Sequence, residues 1–369
     1  MFLVGKPVLE DHFFDRTKMK TQVKNFLNTK QDFMIKAPRR YGKTSLIKEV
    51  LKDTQYIYID IRRVSNIALI PNEILEKAFE IAGIHSIIKQ VKKNVLEFLA
   101  NIKSDIRINL GVVEATAQYL SREQKNSPCE DLVFALNTVN DIAVSMNNPM
   151  TIVFDEFQDI KKFKCDDNDI LEVLRGSLQH LESVHSIFLG SIETIMSDIF
   201  ENKKSPFFNY CRKLKLDSFD LDELSTELIK TFDEKDIKFD DEKNFMQLLQ
   251  KLKGHPANTM VVMQNLYYQS LEKEIKIMSK GDLEQAYENG YFEMIDLVEQ
   301  YIIEIKDKKH YHDVLYKMVN NQKQTLIPQA LHQVRSGLMN IGYLQKDKNG
   351  EYQIIDNFLH EYLDENGIK

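Results

Sequence analysis

Five short apolar runs punctuate the first part of the chain: FMIKA at 33–37, YIYIDI at 56–61, TIVFD at 151–155, SIFLGS at 186–191 and KLKLD at 213–217. The first four are rich in β-branched or aromatic side chains and too brief for buried helices, so they read as strands. Helix-length segments separate them, and Leu46, Ile47, Val50 and Leu51 after the first run fall at helical spacing. Strands alternating with helices predict an α/β fold: a five-stranded parallel sheet covered on both faces, with ligands at the carboxyl ends of the strands. Residues 68–149 interrupt the alternation and read mostly as helices (71–83, 88–102, 130–146), with a hairpin around 107–120. They are expected to form a packing insert within a core spanning 1–218.

Beyond the fifth run the period changes. Segments 221–237, 241–256 and 257–276 each carry apolar residues three and four apart, the mark of successive amphipathic helices, and predict a helical domain over 219–298. From 299 to 369 two more helices, 311–321 and 327–342, precede YLQKDKNGEYQIID, which reads as two short strands turning at Asn349-Gly350. Helices followed by a hairpin predict a winged helix, although the short span between Asn321 and Ile327 argues against a standard helix-turn-helix.

Composition narrows the function class. With 369 residues, 43% hydrophobic, 28% charged, 13 Gly and 8 Pro, the chain is an ordinary helix-rich globular protein, not a disordered or collagenous one. No uncharged apolar stretch approaches a bilayer span, and MFLVGKPVLEDHFF lacks a long apolar segment with a small-residue cleavage site, so the cytoplasm is the expected location. Cys129, Cys165 and Cys211 lie far apart with no CxxC and no paired His, and are read as ordinary reduced thiols. A net charge of −7 argues against a general nucleic-acid coat, but residues 15–63 hold 13 Lys/Arg against 5 Asp/Glu, so an anionic ligand is expected there.

The first strand-to-helix junction says which anion. Ala37-Pro38-Arg39-Arg40-Tyr41-Gly42-Lys43-Thr44-Ser45 matches the phosphate-binding loop GxxxxGK[ST], with Ala37 in place of the first Gly. Gly42 lets the backbone approach phosphate, successive amides and the helix N-terminus favour negative charge, Lys43 reaches the β and γ phosphates, and the Thr44 hydroxyl serves Mg2+. The third run ends in Asp155-Glu156. Asp155 there is expected to hold Mg2+ through water and Glu156 to polarise the attacking water, the division of labour that γ-phosphate hydrolysis requires. A strand-end acid pair alone is weak, since such acids are commonly caps; coupled to Lys43 it points to ATP.

APRRYGKTSL, IVFDEFQDI and the GS of SIFLGSIET together resemble the archaeal-type ATPase family, a branch of the STAND and AAA+ P-loop ATPases. FFDRTKMKTQVKNFL resembles that family's F-x-G-R-x-x-E-x-L opening segment, which implies Arg16 near the nucleotide; Asp15 stands for Gly, and Lys18 or Met19 near the expected acid. The resemblance implies a γ-phosphate sensor at Ser191, where a strand-end cap is the alternative. It implies an arginine finger at Arg212, acting within the chain or across a homo-oligomer interface, where a surface Arg or a role for Lys213 is the alternative. It also implies a nucleotide-contacting lid residue at His255 in Gly254-His255-Pro256, where ordinary helix punctuation is the alternative.

The expected activity is Mg2+-dependent ATP binding and hydrolysis driving a conformational switch on DNA or a DNA-bound complex. The alternative is a nucleotide-gated scaffold whose winged helix binds protein. Residues 301–369 carry nine Lys/Arg and nine Asp/Glu, a poor endowment for phosphate neutralisation, although Gln329, His332, Gln333 and Arg335 sit at spacings that share a helix face, with Lys346 and Lys348 in the wing.

Overall fold

The computed structural model describes residues 16–83, 127–165, 169–347 and 349–366. The expected helix at 88–102 and hairpin at 107–120, together with Asp15 and Lys348, lie outside the described residues.

The core begins with α1 (Thr17–Asn28), β1 (Phe33–Lys36), α2 (Lys43–Leu51), β2 (Tyr56–Asp60) and α3 (Leu69–Ile81). It continues with α4 (Pro128–Ser145), β3 (Met150–Asp155), α5 (Ile170–Leu178), β4 (Val184–Gly190), α6 (Glu193–Glu201) and β5 (Arg212–Lys215). All five expected strands form, in one parallel sheet ordered β2-β3-β4-β1-β5. Side chains alternate between its faces, as the strand period requires. Met34, Ile152, Phe154 and Phe188 join the apolar layer under α3, α4 and α5, while Phe33, Ile35, Val153, Ile187 and Leu189 join the layer under α1 and α2.

Under the end of β3 the first layer is aromatic. Phe154 stacks on Phe188 at 5.6 Å between centroids, Phe157 lies 4.7 Å from Phe188, and Phe200 and Phe207 close the cluster. Such pairs add about 0.5–1.5 kcal/mol each beyond burial. Phe154 and Phe157 flank Asp155 and Glu156, so the acid pair stands on a rigid platform.

One expectation fails here. Cys129 and Cys165 are joined in a disulfide, with Cα atoms 5.5 Å apart, and only Cys211 is a free thiol. Ser127 caps α4 in a reciprocal box with Glu130, with Pro128 in the first turn, which fixes where that helix starts. This places Cys129 against the segment that follows the acid pair. The 36-residue separation hides a contact made only by the tertiary fold.

The second half comprises α7 (Leu221–Asp233), β6 (Lys238–Phe239), α8 (Glu242–Lys251), α9 (Pro256–Lys273), β7 (Ile277–Met278) and α10 (Lys280–Lys306). After these come α11 (Tyr311–Val319), α12 (Pro328–Asn340), β8 (Leu344–Lys346), β9 (Tyr352–Ile354) and α13 (Asn357–Asn366). The helix α10 runs unbroken through position 298, and one apolar cluster containing Leu224, Phe245, Leu266, Val298, Leu338 and Phe358 serves the residues on either side of it. The antiparallel hairpin β8–β9 forms as expected, but the chain then adds α13, whose Phe358, Leu359 and Leu363 are buried. No helix among the described residues is long and apolar enough to cross a membrane.

Candidate active site

The loop between β1 and α2 places its glycine where only a left-handed backbone fits: Gly42 has φ 82°. Lys43, the first residue of α2, is buried, and its ammonium donates to the carbonyl oxygens of Ala37 and Pro38 at 2.8 and 3.0 Å. Ala37 continues the sheet, its amide donating to the Gly190 carbonyl at 3.2 Å, so an alanine is accommodated where the motif has glycine. Pro38 and Ser45 are buried, while Arg39 and Arg40 are exposed.

Thr44 Oγ1 donates to Asp155 Oδ2 at 2.8 Å, which brings the expected metal pair together across α2 and β3. A hydroxyl and a carboxylate are hard oxygen donors, and Mg2+ takes one or two protein oxygens while keeping several waters. The donor set therefore fits the ion. The same Asp155 oxygen accepts a hydrogen bond from Tyr58 of β2, and Asp155 Oδ1 accepts the Glu156 amide at 2.8 Å. Burial, then the charge of Asp155, pushes the Tyr58 phenol well above its ordinary range and keeps it a donor. Asp60, in register with Asp155 on the neighbouring strand, has its carboxyl pushed up by burial first and by Asp155 second.

Glu156 is enclosed. Its backbone is left-handed at φ 52°, and its Oε2 accepts from Arg62 Nη2 at 2.8 Å, from Gln158 and from the Ser191 hydroxyl. Arg62 also reaches Asp159 at 3.4 Å and Ser191 at 3.4 Å. Three strand ends thus converge: β2 supplies Arg62 through the turn Ile61–Arg63, β3 supplies the acids, and β4 supplies Ser191. Ser191 meets Glu156, and the N-cap of α6 is its neighbour Ile192, which makes no side-chain bond.

No protein-family model matches the sequence, and no curated protein matches it. Solved structures do. The Walker-type ATPase PABY2304 of Pyrococcus abyssi superposes with TM-score 0.72 over 98% of this chain and 99% of its own, at 17% identity. The ORC2 protein of Aeropyrum pernix, in its ADPNP–ADP complexes, superposes with TM-score 0.58 over 95% and 94%, at 11% identity. The chain shares the fold of these two proteins, one of them a Walker-type ATPase. On this fold the remaining expected residues divide into two groups.

Arg16 and His255 lie against the phosphate loop. Arg16 Nη2 approaches the Tyr41 carbonyl at 3.5 Å and Nη1 the Ser218 carbonyl at 3.3 Å, while its guanidinium covers the Phe219 ring at 4.8 Å. His255 is buried, caps α9 by accepting the Asn258 amide, and meets the Tyr41 ring edge-on at 5.2 Å. Burial pulls its pKa down, opposed by Asp356. The preceding Gly254 has φ 64°, and a Cβ there would stand 2.7 Å from the Phe219 carbonyl, so the motif glycine is required on two counts.

Arg212 lies elsewhere. It opens β5 in register with Phe33, the first residue of β1, whereas the phosphate loop follows Lys36, the last. Three strand steps, about 10 Å, separate the two ends. Its Nε donates to Gln31, so the chain does not bring it to its own nucleotide loop.

The sheet core also touches the C-terminal residues. Arg40 donates to Tyr301 Oη of α10 at 2.8 Å, and Thr194 bonds Asn340 at the end of α12. A cavity of about 180 Å³ lies between the two parts, with Pro38, Ser191 and Lys215 on one side and Gly342 and Lys346 on the other. Of the expected reading face, Gln329, His332 and Gln333 are exposed, but Arg335 and Lys346 both stack on Tyr352, at 4.5 and 4.9 Å. Sequence reading missed Arg62, Tyr58, Gln158 and Tyr301, all of which are ordinary in local context and acquire meaning from strand order or from packing between distant segments.

Proposed function

We propose that this chain binds and hydrolyses Mg2+·ATP and uses the phosphate loop's state to move a C-terminal winged-helix module, acting on DNA or a DNA-bound complex. The observation that carries the reading is the convergence of Lys43, Thr44, Asp155 and Glu156 at the carboxyl end of one sheet. The ORC2 structure with ADPNP and ADP supports nucleotide as the ligand. Lys43 exchanges its two loop carbonyls for β- and γ-phosphate oxygens. Thr44 and Asp155 would hold the metal ion, which would supply positive charge to offset that of the phosphates. Glu156 leaves its enclosure to orient water in line with the γ-phosphate and take its proton, and Ser191 follows the phosphate from the same enclosure. Arg212 serves a neighbouring subunit's site if the chain oligomerises, since it lies away from its own.

The link to output runs through three contacts on the loop's flank: Arg40 with Tyr301, Tyr41 with His255, and Asn258 with Asp356 and Asn357 at 2.8 Å each. A protein partner is the second reading, favoured by the stacking of Arg335 and Lys346 on Tyr352 and by the balanced charge of 301–369. Steady-state turnover of wild type and Glu156→Gln, with and without duplex DNA at two salt concentrations, tests both. Glu156-dependent turnover that rises with DNA and loses the rise in salt supports the first reading; turnover indifferent to DNA supports the second; turnover retained by Glu156→Gln overturns the site.

A further inference from the structure

Tyr58 does not belong to the phosphate loop or to the acid pair, yet its hydroxyl reaches the same Asp155 oxygen as Thr44. It stands on β2 in register with Val153, two positions before Asp155 on β3, so its ring spans from one strand to the carboxylate of the next. The ring is fixed from above by Lys48 of α2, whose ammonium lies 4.7 Å from its centroid. Its own carbonyl accepts from Lys77 of α3. The side chain is thus held at both ends before it meets Asp155.

A carboxylate offers about four acceptor directions. Among the described residues three donors occupy Asp155: Thr44 and Tyr58 on Oδ2, and the Glu156 amide on Oδ1. Thr44 is expected to turn to the ion, and the amide only fixes Oδ1. Tyr58 alone holds Oδ2 toward α2 whether or not Thr44 stays. We infer that Tyr58 is a positioning residue for the magnesium site, orienting the Asp155 carboxylate through Oδ2. This rests on the nucleotide reading above. Outer partners of metal-binding groups commonly contribute 10- to 100-fold to metal affinity by fixing the ligand's orientation.

The test measures binding, not turnover. Affinity for a fluorescent ADPNP derivative is determined in Mg2+ and in EDTA; the ratio of the two reports coupling between metal and nucleotide. Tyr58→Phe keeps the ring under Lys48 and removes only the hydroxyl, and thermal melting checks that the fold is intact. The ratio is expected to fall roughly tenfold, with affinity in EDTA unchanged. In an Asp155→Asn background the same substitution is expected to change nothing further. An unchanged ratio, an equal loss in EDTA, or an undiminished effect in the Asp155→Asn background overturns the role of Tyr58. A wild type that binds the nucleotide equally in Mg2+ and EDTA overturns it while nucleotide binding stands; a wild type that binds no nucleotide overturns both.

Discussion

If Glu156 has the proposed role, its enclosure sets a resting rate that can be altered at one residue. Arg62 Nη2 lies 2.8 Å from Glu156 Oε2, and its side chain is 37% exposed against 16% for the glutamate. Charge centres about 4 Å apart at an effective dielectric of about 20 attract by roughly 4 kcal/mol before desolvation. A charge-assisted bond retains about 1.5–3 kcal/mol of this, and solvent screening of the exposed guanidinium lowers the figure to about 1–2 kcal/mol. If Glu156 must leave Arg62 to take a proton from water, that energy forms part of the barrier. Arg62→Ala should then raise turnover at saturating ATP roughly 5- to 30-fold.

Phosphate release by wild type, Arg62→Ala, Arg62→Lys and Arg62→Ala/Glu156→Gln checks the step. Arg62→Lys, a point charge in place of a planar fork, should fall between wild type and Ala. The double variant should be as inactive as Glu156→Gln, because the gain operates only through the glutamate. Turnover in Arg62→Ala that falls, with nucleotide affinity intact, would refute the reasoning and make Arg62 a group that serves the transition state.

Three further outcomes are expected. The Cys129–Cys165 bridge closes a 36-residue loop, and chain-entropy arithmetic gives about 4 kcal/mol, so reduction or Cys165→Ser should lower the melting temperature by roughly 10 °C; identical melts with and without reductant would exclude the bridge. Gly190→Ala places a Cβ into Met196 and 2.9 Å from Gln158 Oε1, so it should destabilise by about 1–3 kcal/mol and lower turnover through Gln158 and Ser191, and an unchanged melt and rate would contradict the packing. Burial pulls the His255 pKa below the ordinary 6.5 despite Asp356, so the unfolded chain binds the proton more readily; the stability His255 contributes is present above pH 6.5 and lost as pH falls below it. His255→Asn, which retains a helix-capping side chain, should flatten that part of the stability curve measured between pH 7.5 and 5.

The central strands were legible because a parallel strand buried on both faces has no polar alternation to confuse it: Met150–Asp155 is buried at every position. The phosphate loop and the acid pair were legible because their chemistry demands fixed residue types at short spacing. Arg62 and Tyr58 were not, since an Arg after YIYID or a Tyr within it has no local signature. Both matter because β2 lies beside β3 in the order β2-β3-β4-β1-β5, a pairing across an insert of some 80 residues. The helix Asn357–Asn366 was missed for a related reason. Its ten residues are too few to be stable alone, and Phe358 and Leu363 find their partners only in the shared cluster with the preceding helices.

Backbone strain shows where those tertiary contacts carry weight. Most non-glycine residues at positive φ, such as Lys30, Asn147 and Lys253, end helices or turns, where that conformation is routine. Arg16, Arg40 and Glu156 instead lie just ahead of a helix or helical turn, and all three sit at the phosphate loop or the acid pair. A left-handed non-glycine residue costs on the order of 1 kcal/mol, and each of the three is held by contacts from another element: Arg16 by Ser218 and Phe219, Arg40 by Tyr301, Glu156 by Arg62 and Ser191. Arg16 and Arg40 are held by segments outside the nucleotide loop, and Glu156 by neighbouring strand ends. A ligand that draws Glu156 or Arg40 away both breaks a contact and releases local strain, so the two costs partly offset. That combination favours two discrete arrangements over a graded one, as the proposed ATP-driven movement of the C-terminal residues would require.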